Sequence, residues 1–393
     1  MRRIPFTRLL AVSIFAALSS YALAQTAGAV QSVDVGNGVH EIIPTKTVDF
    51  EPVKSDQSFE LPNTRVDQMQ CLSDDSLAMH TIDWKTVNAT PKGQIPKYNQ
   101  VVTIVRGTKM QSILSTSITD LTDFDNGFDV FATDSGIYFL LQGSKDQPQH
   151  GQRSRDQSPA GIPYSSYHEY LARFDPDGTY KGVSKLGVDC DLSRPASCHM
   201  NHLAVFPNGD LLISESDPET SILKVLYLNS SGDPVKQIDV PASRRPMDWG
   251  DTPNSNPQLT QEAHTYLASV NFTTVGDNIL VWRANSDDPV VEIRQGGGVR
   301  EVPLQIPRGW RFVDMVPSND RWVVHFRAES APPDQRMSTD IDAFYEVRPQ
   351  DGSLSAKIVP AGENPLRIEC EHDGSYMSFK YLDGGKALLL KGQ

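Results

Sequence analysis

The sequence predicts an all-β fold: a single six-bladed β-propeller of four-stranded blades, its last blade completed by an N-terminal strand. Three observations carry this. In residues 202–241, apolar runs rich in Leu, Val and Ile alternate with tight clusters of Pro, Asn, Gly, Asp and Ser. Such clusters reverse a chain by supplying φ > 0 positions and side-chain caps. They leave room for four strands and no helix. The same pattern of apolar run, tight turn and apolar run recurs at 69–84, 128–143, 202–216, 270–284, 312–329 and 367–381. Finally, the last repeat runs out of chain after one more strand, whereas 33–61 holds strand-like segments ahead of the first repeat.

Taken in order, the chain opens with Arg2, Arg3 and Arg8 around an apolar run from Leu9 to Leu18, then Ala22-Leu23-Ala24. That is the pattern of a secretory signal peptide over residues 1–24. The run is far shorter than the roughly 20 residues of a spanning helix. Removing it takes away three arginines and no acids, moving the formal charge from −13 to −16. A surface so acidic repels phosphate backbones. We therefore expect a secreted or periplasmic monomer that neither binds nucleic acid nor inserts into a membrane.

Residues 25–64 form the expected closing segment, and the propeller occupies 25–393 as one domain. The turn anchors Asp75, Gly136, Gly209, Gly276, Asn319 and Gly374 lie 43 to 73 residues apart. Blade repeats run roughly 40–50 residues, so the surplus fits insertions between strands. Each inner pair is followed by two more apolar segments, for instance 99–107 and 108–117 after the first, or 341–349 and 354–361 after the fifth. The sixth has only 384–392, and an N-terminal strand beside it would remove an exposed sheet edge.

Two stretches carry a family likeness. VFPNGDLLISES followed by ILKVLYLNSSG (205–216 and 222–232), and YLARFDPDGTYKG (170–182), resemble NHL-type repeats of six-bladed propellers. The likeness covers two of the six blades well. It implies the architecture, and a group that spans sensor and scaffold domains and metal-dependent lactonases.

Four cysteines follow the leader, an even number in an oxidising compartment. Cys190 and Cys198 bracket a short polar loop and are expected to pair. Cys71 and Cys370 each lie four residues before a turn anchor, on blades that adjoin in a closed ring. Equal offset puts them at one height on the same side of the sheet. A disulfide needs Cα atoms within about 6.8 Å, so the spacing leaves open a bond or two buried thiols.

Candidate chemistry sits where the inner strands begin. The positions seven before each anchor are Gln68, Asp129, His202, Ser269, Phe312 and Arg367, and a shift of one or two brings in Asp67, Asn201, Asp314 and Glu369. This is a polar mouth without the converging carboxylates and amides that a divalent ion requires. Cys198, His199 and His202 suggest a metal only at first sight, since residues three apart on a strand face opposite sides. Asp120, Asp123, Asp125 and Asp129 lack the EF-hand spacing and read as a solvated turn between blades. Gly296 to Gly298 read as a hairpin turn, and no G-x-S-x-G elbow occurs. Arg244 and Trp249 fall in the long connection 242–266, and Trp310 and Arg311 in a later one. Arg and Trp dominate binding hot spots.

The leading expectation is a non-catalytic module without a cofactor. It would bind a peptide, glycan or partner protein through His202, Arg244, Trp249, Trp310, Arg311 and Arg367. The alternative is a lactonase-like hydrolase or lyase using a divalent ion at the channel mouth.

Overall fold

The computed structural model describes residues 30–35, 40–53, 58–60, 68–72, 76–82, 100–106, 109–146, 162–163, 166–188, 199–217, 222–238, 240, 270–284, 286–331, 338, 340–361, 367–382 and 386–393. Residues 1–24, Cys190, Cys198, Arg244 and Trp249 lie outside them. The described chain is β-structure apart from short turns and one 3-10 turn at Ser115–Ser117.

Four strands precede the first blade: β1 (Val30–Asp34), β2 (His40–Val48), β3 (Phe50–Pro52) and β4 (Phe59–Glu60). Blade 1 comprises β5 (Gln68–Cys71), β6 (Leu77–Ile82), β7 (Gln100–Arg106) and β8 (Lys109–Leu114). Blade 2 comprises β9 (Asp123–Thr133), β10 (Gly136–Ser144), β11 (His168–Phe174) and β12 (Tyr180–Lys185). Blade 3 comprises β13 (His199–Val205), β14 (Leu211–Asp217), β15 (Ile222–Leu228) and β16 (Pro234–Ile238). Blade 4 comprises β17 (Asn271–Val275), β18 (Asn278–Trp282), β19 (Val290–Ile293) and β20 (Val299–Val302). Blade 5 holds β21 (Trp310–Val316), β22 (Trp322–Ala328), β23 (Asp342–Val347) and β24 (Leu354–Pro360). Blade 6 holds β25 (Cys370–His372), β26 (Ser375–Leu382) and β27 (Lys386–Gly392).

Blade 6 is completed as expected. Antiparallel β3 pairs with β27 in the register Leu390↔Pro52, and β4 adds Ala387↔Phe59 to the same edge. The rest of the N-terminal segment does something the sequence did not announce. Strand β2 runs parallel to β24, the outer strand of blade 5, and β1 pairs with β2, so blade 5 has six strands.

Successive blades pack face to face, and the core is a series of inter-blade clusters. Phe131, Phe206, Tyr227 and Val291 belong to the cluster that joins blades 2, 3 and 4. The ring closes where Leu77, Met79 and Val105 of blade 1 meet Met377, Phe379 and Leu389 of blade 6. Beside that seam Cys71 and Cys370 form a disulfide with a Cα–Cα distance of 5.7 Å, which resolves the question left open by spacing. The bond suits an oxidising compartment. No helix among the described residues is long and apolar enough to cross a membrane.

Tight turns do what their residues allow. In the DPDG turn, Gly178 takes φ +82° and donates its N–H to the Asp175 carbonyl at 2.8 Å. At the axis, Gly276 has φ +56°, and a Cβ there would come within 2.8 Å of the Asn319 carbonyl oxygen. Only glycine suits both demands.

One acidic stretch departs from expectation. Asp123 to Asp129 is part of the eleven-residue strand β9, not a solvated turn, with a register shift opposite Leu140 and Gln142. Asp123 and Asp129 are both buried. Asp123 accepts a hydrogen bond from the Tyr167 hydroxyl at 2.6 Å, and such partners offset the cost of burying a carboxylate.

The two ends of the ring differ. At the end where the inner strand turns into the second and the third into the fourth, no connection exceeds six residues. Every connection longer than ten residues leaves from the other end, where the inner strands begin: 83–99, 145–167, 186–198, 239–270 and 329–341.

Candidate functional site

Inner strands of neighbouring blades run parallel around the axis, as the bridges Val275↔Ser318 and Ser318↔Glu371 show. Those bridges fix a common height. About four residues toward the strand starts lie Asp314 on blade 5 and Arg367 just before β25 of blade 6. Three residues above Ala132 and Val205 lie Asp129 and His202, on blades 2 and 3.

On the first side of the axis, Asp129 is held by the backbone. Its Oδ1 accepts the Val130 N–H at 2.9 Å and its Oδ2 accepts the Leu203 N–H at 2.7 Å. The imidazole of His202 approaches, with Nδ1 3.7 Å from Asp129 Oδ2. The same ring packs at 6.2 Å from the Phe272 ring of blade 4. His202 keeps 27% of its side chain accessible, so it can present a face to a ligand.

On the second side, the Arg367 guanidinium bridges two carboxylates. Its Nη2 lies 2.5 Å from Asp314 Oδ2 and its Nε 3.3 Å from Glu369 Oε2. The backbone around Arg367 is anchored to β26: Ser378 Oγ donates to the Arg367 carbonyl at 2.6 Å, and the Glu369 N–H donates to Met377 at 2.9 Å. Both carboxylates are partly buried and retain some accessible surface. Burial pushes Glu369 up to about 7; Arg367 opposes the rise and the Asp314 charge reinforces it. Burial also raises Asp314, against the pull of Arg367 and His325.

Behind Asp314 stands a buried pair. Asp314 faces His325 directly across β21 and β22, and His325 Nε2 lies 2.9 Å from Asp342 Oδ1. The other oxygen of Asp342 accepts the Ser338 N–H at 3.1 Å. The His325 ring stacks on Phe344 with centroids 4.7 Å apart. Burial pushes Asp342 up, but the hydrogen bond and charge of His325 outweigh it and hold the carboxyl below its ordinary value. The sequence gives no sign of this pair, because a His and an Asp seventeen residues apart meet only once the strand register is known.

Of the residues expected in the site, His202 lies on β13 and Arg367 just before β25, both toward the ends where the inner strands begin. Trp310 and Arg311 open β21. Trp310 is half-buried against the core between blades 4 and 5, and its backbone N–H donates to the Pro307 carbonyl at 3.1 Å. Arg311 is also half-buried. Arg244 and Trp249 belong to the connection between β16 and β17, and Cys190 and Cys198 to that between β12 and β13, all outside the described residues.

The set offers three carboxylates, one guanidinium and one imidazole. A divalent ion would compete with partners already present. Asp129 spends both oxygens on backbone N–H groups, and Asp314 and Glu369 are both engaged by Arg367. Among the described residues no group of three or more His, Cys, Asp or Glu is placed to hold one. Hydrogen bonding to a polar ligand is the chemistry it suits.

No protein-family model matches the chain, and no curated protein matches it. Among solved structures it is similar to a luciferin-regenerating enzyme, at 9% identity and a TM-score of 0.39, over 88% of this chain and 95% of that one. It is similar to dipeptidyl peptidase 4 of Porphyromonas gingivalis at 10% identity and a TM-score of 0.35, covering 84% of this chain and 48% of that one. A DUF4623 family protein from Bacteroides eggerthii matches at 8% identity and a TM-score of 0.31, over 93% of this chain and 97% of that one. Likeness at this level says nothing about activity.

Proposed function

We propose that the chain is an exported, non-catalytic propeller of NHL-like type that binds a peptide, glycan or partner protein at the end where its inner strands begin. The observation that supports this reading most is a coincidence of place. The polar set of Asp129, His202, Asp314, Arg367 and Glu369 lies toward the channel end from which every long connection departs. Rigid strands that position polar groups, with long loops around them, form the usual arrangement of a recognition site. The connection carrying Arg244 and Trp249 belongs to that end.

Immobilised peptide and glycan arrays test the reading. Full-length chain should bind a restricted set of features, and the Arg367→Ala and His202→Ala variants should lose them, the His202→Ala variant while melting near the parent temperature. Uniform absence of binding, or binding indifferent to both substitutions, would overturn it. So would elemental analysis that finds one tightly held divalent ion per chain, which would favour a metal-dependent hydrolase or lyase.

A further inference from the structure

The disulfide that closes the ring is unequally sheltered at its two ends. Cys370 is fully buried, packed with Met79, Val105, Met377 and Leu389 where blades 1 and 6 meet. Cys71 is only half-buried. It also lines a half-open hollow of about 370 Å³, beside Ala132, Thr274 and Ser318, at the end where the inner hairpins turn. A space of that size admits a small molecule. Disulfide sulfurs open to solvent exchange with thiols, and exposed bonds are the labile and regulatory ones.

The surroundings suit the reduced pair as well. The Glu371 carbonyl oxygen lies 3.4 Å from Cys71 Sγ and the Pro317 carbonyl oxygen 3.8 Å, so a thiol there finds acceptors in place. A reduced Cys370 remains a small apolar group among apolar neighbours. Opening the bond therefore strands no strongly polar group in the core.

The bond also steadies part of the polar set. Cys370 opens β25, a strand of only three residues. On one side the Glu371 N–H donates to the Pro317 carbonyl of blade 5 at 2.9 Å. On the other, the disulfide ties the strand to β5. Arg367 and Glu369 lie in the segment that leads into it.

We propose that Cys71 is a thiolation site for small thiols, and that exchange there opens a clasp on the segment carrying Arg367 and Glu369. A small thiolate in the hollow attacks Cys71 Sγ. The bond between the two cysteines breaks, a mixed disulfide forms at Cys71, and Cys370 leaves as a thiolate that takes a proton from water. A second thiolate attacks the small-molecule sulfur of the mixed disulfide. It releases the small disulfide, and Cys71 takes a proton to become a thiol. Two small thiols are oxidised and one protein disulfide is reduced. The clasp operates whatever the polar set binds.

Mass spectrometric peptide mapping tests this on the full native chain, treated with β-mercaptoethanol and quenched in acid. The adduct should lie on the peptide containing Cys71, with Cys370 free. After full reduction, iodoacetamide without denaturant should label Cys71 and spare Cys370. Hydrogen exchange at 367–372 should speed up on reduction while blades 3 and 4 stay unchanged. A bond that resists the thiol until denaturant is added overturns the proposal, as does an adduct or label that falls first on Cys370. Exchange at 367–372 indifferent to reduction, or faster throughout the chain, overturns the clasp.

Discussion

Glu346 joins three parts of the ring through one oxygen. Its Oε1 accepts Lys46 Nζ of β2 at 2.7 Å, Arg321 Nη1 of blade 5 at 2.9 Å and the Tyr376 hydroxyl of blade 6 at 2.8 Å. Replacing it with Gln keeps the shape and removes the charge. Lys46 and Arg321 are 42% and 37% exposed, so solvent screening limits each pair to about 0.5 kcal/mol. The Tyr376 hydroxyl is buried, and weakening its bond from charged to neutral acceptor costs about 1 kcal/mol. The sum is about 2 kcal/mol at neutral pH. Unfolding entropy of about 2.1 cal/mol/K per residue gives ~0.8 kcal/mol per degree for a chain of this size, so Glu346→Gln should melt about 2–3 °C below the parent.

The pH dependence sharpens this test. Burial pushes the Glu346 carboxyl up, but the hydrogen bonds from Lys46, Tyr376 and Arg321 and the Lys46 charge win, leaving it below its ordinary 4.5. A group depressed on folding contributes stability that is present above the unfolded value and lost as pH falls through the folded one. Calorimetric melts of parent and variant should therefore differ at neutral pH and converge in acid below 4.5. A gap that stays constant into acid, or no gap at neutral pH, would refute the assignment of Glu346 as an ionised tether.

Three further outcomes follow from the same structure. Replacing Cys71 and Cys370 with Ala removes a link spanning 299 residues, for which the chain-entropy model gives about 5–6 kcal/mol; differential scanning calorimetry should show a loss of about 7 °C. Deleting residues 25–61 strips β3 and β4 from β27 and β2 from β24, so light scattering should report aggregation that the parent chain does not show. Glu369 is raised to about 7 from 4.5, and an acid raised on folding destabilises the folded state as pH climbs through that interval. Glu369→Gln should therefore melt above the parent at alkaline pH, by at most about 3 kcal/mol, and match it below 4.5.

Much of the architecture is visible in the chain because local turns dictate it. In blade 3, Gly209 takes φ +87° and Asn208 Oδ1 accepts the Asp210 N–H at 3.1 Å, so the hairpin is written in four residues. Contacts without a connecting turn are not written that way. The parallel pairing of β2 with β24 joins residues some 300 apart, and nothing local in either strand names the other. The acidic run at 123–129 looked like a turn because Asp disfavours strands, whereas buried partners decided its conformation. The constant offset from each turn falls at Asp129, His202 and Arg367 near the starts of their inner strands, whereas on blade 5 Asp314 is reached only by a shift of two residues. A register shift between Phe312 and Asp314 buries Phe312 in the inter-blade core and places Asp314 beside Arg367. Bulges re-aim side chains in this way, and a count along the sequence does not register them.

The ring closes only if blades 1 and 6 are neighbours. Mass spectrometry of an unreduced proteolytic digest addresses that most directly. The ring predicts a peptide containing Cys71 linked to one containing Cys370, which reduction separates. Cys71 linked instead to Cys190 or Cys198 would contradict the closure, and with it the pairing of Asp314 on blade 5 with Arg367 on blade 6.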